Sequence, residues 1–128
     1  MTIKHKPQNY SSVSPYLIVK DANATINFLK EVFNGNELRR FEDDNGGIMH
    51  SEVKIDDSVI MIADSTNEWQ PVPSYVHVYV DNVDETYRRA IAYGAESVQE
   101  PSKGEDEDKR GGIKDVGGTT WWIATRVE

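Results

Sequence analysis

His50 and Glu52 stand two residues apart in a stretch of β-forming side chains, so on a strand both point to one face. An imidazole beside a carboxylate can pass protons near neutral pH, and the same pair can ligate a divalent ion. The plainer alternative is two polar groups on a wet strand surface. His77 lies in a second alternating stretch, Tyr75-Val76-His77-Val78-Tyr79. Brought to His50 and Glu52, it would complete a two-histidine, one-carboxylate set of the kind that holds iron or zinc. A neutral His77 bonded to Tyr75 or another hydroxyl is the simpler reading. Cysteine is absent, so thiolate metal sites, thiol nucleophiles and disulfides are excluded together.

These residues need strands to position them. If Asp56-Asp57 makes a two-residue hairpin turn, Glu52 stands opposite Met61 and His50 opposite Ala63, all on one face. Tyr75, His77 and Tyr79 share a face, with Val76, Val78 and Val80 turned to the other. In the opening strand Ser14, Tyr16 and Ile18 fall together, with Leu17 and Val19 opposite. Trp121 and Trp122 are neighbours and must diverge; Trp121 is assigned to the core and Trp122 to the chemical face, where it either stacks a flat ligand or fills space. Met61 reads as apolar filling.

The periodicity gives strand 12–20, helix 24–33 and strands near 37–42, 47–55 and 58–64. It then gives strand 75–80, helix 83–93 and strands near 96–100, 111–114 and 119–125. Residues 65–73 carry Pro71 and Pro73 and read as a polar connector. The charge run from Lys103 to Lys109 reads as a solvated hairpin loop. Lys109 and Arg110 after it either attract an anionic substrate or offset Glu105, Asp106, Glu107 and Asp108. Asp21, Asn23, Asp81 and Asp84 sit at helix starts, where capping accounts for them.

The 128 residues suit one hydrophobic core. With 22 acidic against 14 basic side chains the net charge is -8, which disfavours nucleic acid and anionic membranes as partners. No apolar run spans a bilayer and the opening residues are polar, so a cytoplasmic location is expected.

The chain also repeats itself. Val19-Lys-Asp-Ala-Asn-Ala-Thr25 returns as Val80-Asp-Asn-Val-Asp-Glu-Thr86, and residues 57–63 align with 118–124 at the same offset of 61 positions. In both copies the helix is expected to end on glycine, Gly35 and Gly94. The expected fold is α+β: two tandem β-α-β-β-β units, curved mixed sheets around a concave pocket. A polar segment 1–11 precedes a single domain 12–128, made of unit one 12–64, linker 65–73 and unit two 74–126.

Two such units, the opening PYLIVKD and the close GGIKDVGGTTWWIAT resemble the vicinal-oxygen-chelate superfamily of glyoxalases, bleomycin-resistance proteins and extradiol dioxygenases. HSEVKIDDSVIMIAD followed by YVHVYVDNVDET is similar to the glyoxalase-like branch named after a phosphonate-operon protein. The resemblance implies a small-molecule cup, a homodimer and, in many members, a divalent metal held by the first and last strands of each unit. Those positions fall on Ser14, Met61, Tyr75 and Trp122, whose hydroxyl, thioether, phenol and indole are poor ligands. No cofactor is therefore expected, and a metal only at a non-standard site.

Two functions follow as expectations. One is a metal-independent protein binding a small organic molecule through Tyr16, Met61, Tyr75, His77, Tyr79 and Trp122. The other is a lyase, isomerase or dioxygenase with His50 and Glu52 as catalytic groups, using a relocated metal near them and His77.

Overall fold

A computed structural model describes residues 3–128; Met1 and Thr2, the start of the polar segment, lie outside them. The first strand, β1 (Tyr16–Val19), starts later than the alternation predicts. Pro15 has no N–H to give a ladder, although its carbonyl still accepts from Met61 N at 2.9 Å. Helix α1 (Ala22–Phe33) starts two residues early because the Asp21 carboxylate accepts from Ala24 N at 3.1 Å. Its end corrects the sequence reading. Asn34, at φ 56°, takes the left-handed position expected of Gly35. Gly35 is needed for a different reason: a Cβ there would lie 2.6 Å from Val53 Cγ1.

Strands β2 (Asn36–Glu42), β3 (Ile48–Ile55) and β4 (Ser58–Asp64) complete the first unit. The second comprises β5 (Tyr75–Tyr79), α2 (Val83–Ala92), β6 (Glu96–Lys103), β7 (Asp108–Lys114) and β8 (Thr120–Arg126). Asn82, rather than Asp81 or Asp84, caps α2 by accepting from Glu85 N, and Gly94 turns the chain at φ 112°. The charge run is not one solvated loop. Strands β6 and β7 extend into it, the turn is confined to 104–107, and Asp108 is buried.

Both units form four-stranded sheets with one topology, in the orders β1-β4-β3-β2 and β5-β8-β7-β6. The outer pair is parallel in each, as a helical crossover requires, and the remaining pairs are antiparallel. This is the α+β fold of two tandem β-α-β-β-β units. Among the described residues no helix is long and apolar enough to cross a membrane.

Each sheet turns one face to a helix, and both helix-facing sides feed a single buried cluster. Leu17, Val19, Val53 and Ile62 enter it from the first unit and Ile113, Trp121 and Ile123 from the second. Trp121, fully buried, packs its ring 5.2 Å from that of Phe33 at the end of α1, joining the units. Its indole N–H is satisfied by Asp115 Oδ2 at 2.8 Å. The opposite, open faces lie outside this core and carry exposed aromatics, Tyr16, Phe41, Tyr75 and Tyr79 among them. Truncation by Trp121→Ala is expected to cost about 3–5 kcal/mol. In native-state hydrogen exchange it should lower protection in α1 as well as β8, because the cavity opens against both units.

Candidate functional site

The open face of the first sheet carries a hydrogen-bonded line that begins at a buried acid. Glu52, 1% exposed, sits in β3 opposite Met61. It accepts from Tyr10 Oη at 2.5 Å, Arg39 Nε at 3.0 Å and His50 Nε2 at 2.8 Å. Burial alone would raise its pKa, but these three donors and the Arg39 charge outweigh it and hold the carboxyl at about 2. An ionised carboxylate only accepts, so Nε2 of His50 carries the hydrogen. Nδ1 is then free to accept from the Tyr16 hydroxyl, 2.9 Å away.

Local structure sets this geometry. A register shift in β2 between Glu37 and Arg40 brings Phe41 opposite His50, which places Arg39 on the same face as Glu52. The segment before β1 lies across this face. Val59 N donates to Ser11 Oγ, Lys54 Nζ to the Asn9 carbonyl, and Tyr10 covers Glu52.

Beside this line opens a cavity of about 710 Å³ lined by Tyr16, Ile18, Met49, Ala63, Thr66 and Trp69 together with Asp43, Ile48, Asp64 and Ser65. Its character is apolar, because its two carboxylates are engaged elsewhere. Asp64 accepts the amides of Ala22 and Ile48 at 2.7 Å each, and Asp43 those of Asn45 and Gly47 at 2.8 Å. Trp69 comes from the stretch the sequence reads as a connector. That stretch binds β1 through Ser65 N to the Val19 carbonyl and Val72 N to the Ile18 carbonyl, which holds the Thr66–Trp69 turn over the cavity.

The second sheet presents a different face. Tyr75, His77 and Tyr79 are exposed while Val76, Val78 and Val80 pack on the core. Arg110 Nε donates to His77 Nε2 at 3.1 Å, which puts the His77 hydrogen on Nδ1. Partial desolvation and, behind it, the Arg110 cation lower the His77 pKa. The Arg110 charge is met by Asp108 Oδ2 at 2.9 Å and Asp106 Oδ2 at 3.4 Å, and the Tyr79 hydroxyl donates to Asp108 at 2.6 Å. Lys109 pairs with Asp84 on α2 rather than with the acidic turn. Trp122 lies over Gly112, where an added Cβ would meet its ring at 2.7 Å.

The sequence-predicted residues thus divide by sheet. Tyr16, His50, Glu52 and Met61 gather on the first; Tyr75, His77, Tyr79 and Trp122 gather on the second. His77 is not brought to His50 and Glu52, and among the described residues no three histidine, aspartate or glutamate side chains form a metal-ligating group. The family's usual ligand positions do not fit a metal either. Ser14 bonds Ser11, Met61 offers a thioether opposite Glu52, Tyr75 is an exposed phenol and Trp122 an indole. Sequence reading missed Tyr10, Arg39 and Trp69. A tryptophan inside a polar connector was the one available signal.

Glu52 gives a pH test with a defined sign. Its folded pKa lies below the ordinary 4.5, so its contribution is complete above that value and is lost as pH falls towards about 2. Glu52→Gln is expected to be about 3 kcal/mol less stable than the parent at neutral pH. Urea midpoints should converge as the pH approaches 2; a gap independent of pH would contradict the network.

Residues 11–123 match the family model described as the Glyoxalase/Bleomycin resistance protein/Dioxygenase superfamily. Among solved structures, TioX from Micromonospora sp. ML1 superposes with a TM-score of 0.77 at 22% identity, covering 91% of this chain and 98% of that one. TnmS3, an antibiotic-binding protein from Streptomyces sp. CB03234, gives 0.70 at 17% identity, covering 98% of each chain. A variant of the fosfomycin resistance protein FosX from Listeria monocytogenes, solved with manganese and a dihydroxypropylphosphonic acid, gives 0.68 at 24% identity, covering 88% of each chain. The shared unit topology and a family match running through both units place this chain in the glyoxalase, bleomycin-resistance and dioxygenase superfamily.

Proposed function

We propose that this protein binds a small, ring-bearing organic molecule in the apolar cavity of the first sheet, without a metal at the family's usual positions. The observation that carries the reading is the cavity itself: about 710 Å³, walled by Tyr16, Ile18, Met49, Ala63 and Trp69, a size and lining suited to a small organic ligand. The antibiotic-binding description of TnmS3 is compatible with it. The enzymatic alternative with a metal at His50, Glu52 and His77 has less support, because Glu52 is occupied by three donors and His77 Nε2 by Arg110, on separate sheets.

The open faces also suggest how the site is completed. Tyr75 at 78%, Trp69 at 67% and Met49 at 63% exposure leave large aromatic and apolar side chains open to solvent on both faces. In the reading proposed here two chains pair as a homodimer and shield these faces.

Titration of small aromatic compounds, followed by thermal shift and tryptophan fluorescence, is expected to give saturable stabilisation. Trp69→Ala should weaken binding at least about tenfold, a loss of about 1.4 kcal/mol. Untagged protein should contain metal well below one ion per chain, and light scattering at micromolar concentration should give twice the chain mass. Stoichiometric metal lost on His50→Ala would overturn the reading.

A further inference from the structure

The line Tyr16, His50 and Glu52 has more order than a binding wall requires. Tyr16 lines the cavity, its hydroxyl touches Nδ1 of His50, and Nε2 of the same ring rests on a carboxylate that is itself fixed by Tyr10 and Arg39. The imidazole is also held between rings, with Tyr16 at 5.6 Å and Phe41 at 6.1 Å between centroids. A donor, a base with a defined tautomer and an anchoring anion therefore run in series away from the cavity.

We infer that these three residues form a metal-free proton relay that ionises a bound ligand carrying a weakly acidic hydroxyl, an acidified phenol or a conjugated enol. The inference rests on the binding reading above and adds the chemical class of the ligand. The ligand O–H bond breaks as an O–H bond forms at Tyr16 Oη, while the hydrogen already on Tyr16 passes to His50 Nδ1. The products are a ligand oxyanion that accepts from Tyr16 and an imidazolium whose Nε2–H stays on Glu52. Two protons each move one position, which amounts to the net transfer of one to His50; no electron is transferred, and no co-reactant is needed.

The surroundings select this outcome. A bare oxyanion is costly in an apolar cavity unless a cation is close, and the imidazolium one tyrosine away supplies it. The charged groups near His50 are few. Glu52 lies on its own strand, Arg39 on β2 neutralises Glu52, and Lys54 is turned to the Asn9 carbonyl; β1 contributes the hydroxyl of Tyr16, and the N-terminal segment that of Tyr10. Acidity sets the ligand class. An ordinary phenol is a far weaker acid than an imidazolium and would keep its proton. A hydroxyl acidified by a ring substituent or a conjugated carbonyl gives up its proton more readily.

The probe is 4-nitrophenol, whose anion is yellow and whose neutral form is not. One pH unit below the midpoint of the free compound, the bound probe should carry about tenfold more of the anion absorbance than its bulk ratio predicts. Tyr16→Phe, which keeps the ring and all three Glu52 donors, and His50→Gln, which leaves Glu52 its Tyr10 and Arg39 donors, should each hold whatever probe they bind in its colourless form. Trp69→Ala should lose binding and colour together. A neutral spectrum for the probe bound to the parent, or a colour shift that survives in both Tyr16→Phe and His50→Gln, overturns the relay and leaves the binding reading standing. No saturable binding of 4-nitrophenol or of any aromatic compound overturns both.

Discussion

A carboxylate placed in the middle of a strand and shut off from solvent is the constraint around which the candidate site is built. Glu52 can stay ionised only if its lost hydration is replaced, and each replacement fixes something else. Arg39 must be on the same face, which the irregular register of β2 provides. Tyr10 must reach across from the chain start, which lays the N-terminal segment along the sheet. His50 must give its Nε2 hydrogen, which decides the tautomer presented to Tyr16. The order of the site is therefore a consequence of one charge balance, distributed over four elements of the chain.

The duplicated unit shows what happens without that charge. The pairings Tyr16–Met61–Glu52 across the first sheet correspond to His77–Trp122–Gly112 across the second. Where the first unit has a carboxylate the second has no side chain at all, and the indole of Trp122 occupies the space over it. The hydrogen-bonded pair Tyr16 and His50 is answered by His77 and Arg110. The two faces thus share a backbone plan but differ in chemistry. The first is a donor and base beside an apolar cavity; the second is an aromatic surface on which Arg110 is neutralised by Asp106 and Asp108.

Much of the fold could be read from the chain because strand alternation and duplication are both properties of local order. The β3–β4 register followed from the Asp56-Asp57 turn, Trp121 went to the core and Trp122 away from it, and the valines of β5 faced inward. Local rules went astray where a neighbour in space decided the matter. Pro15 shortened β1, Val53 reserved Gly35 for close packing, and the buried Asp108 drew β7 into a run that reads as solvent-exposed. The proximity of His50 and Glu52 was legible, since two residues apart on a strand is enough. Their partners Tyr10 and Arg39 were not, because one depends on a long chain excursion and the other on a register shift that leaves no mark in composition.

The charge distribution also limits what the first face can accept. With a net charge of -8, and with Arg39 and Arg110 both committed to carboxylates, these two arginines offer little to a permanently anionic ligand. A ligand that arrives neutral pays no such penalty on entry. If it then ionises by handing its proton to His50, the charge it creates is balanced inside the site, and the net charge of cavity and relay together is unchanged. A face that does little to attract an anion can still generate one, provided that the proton stays close by.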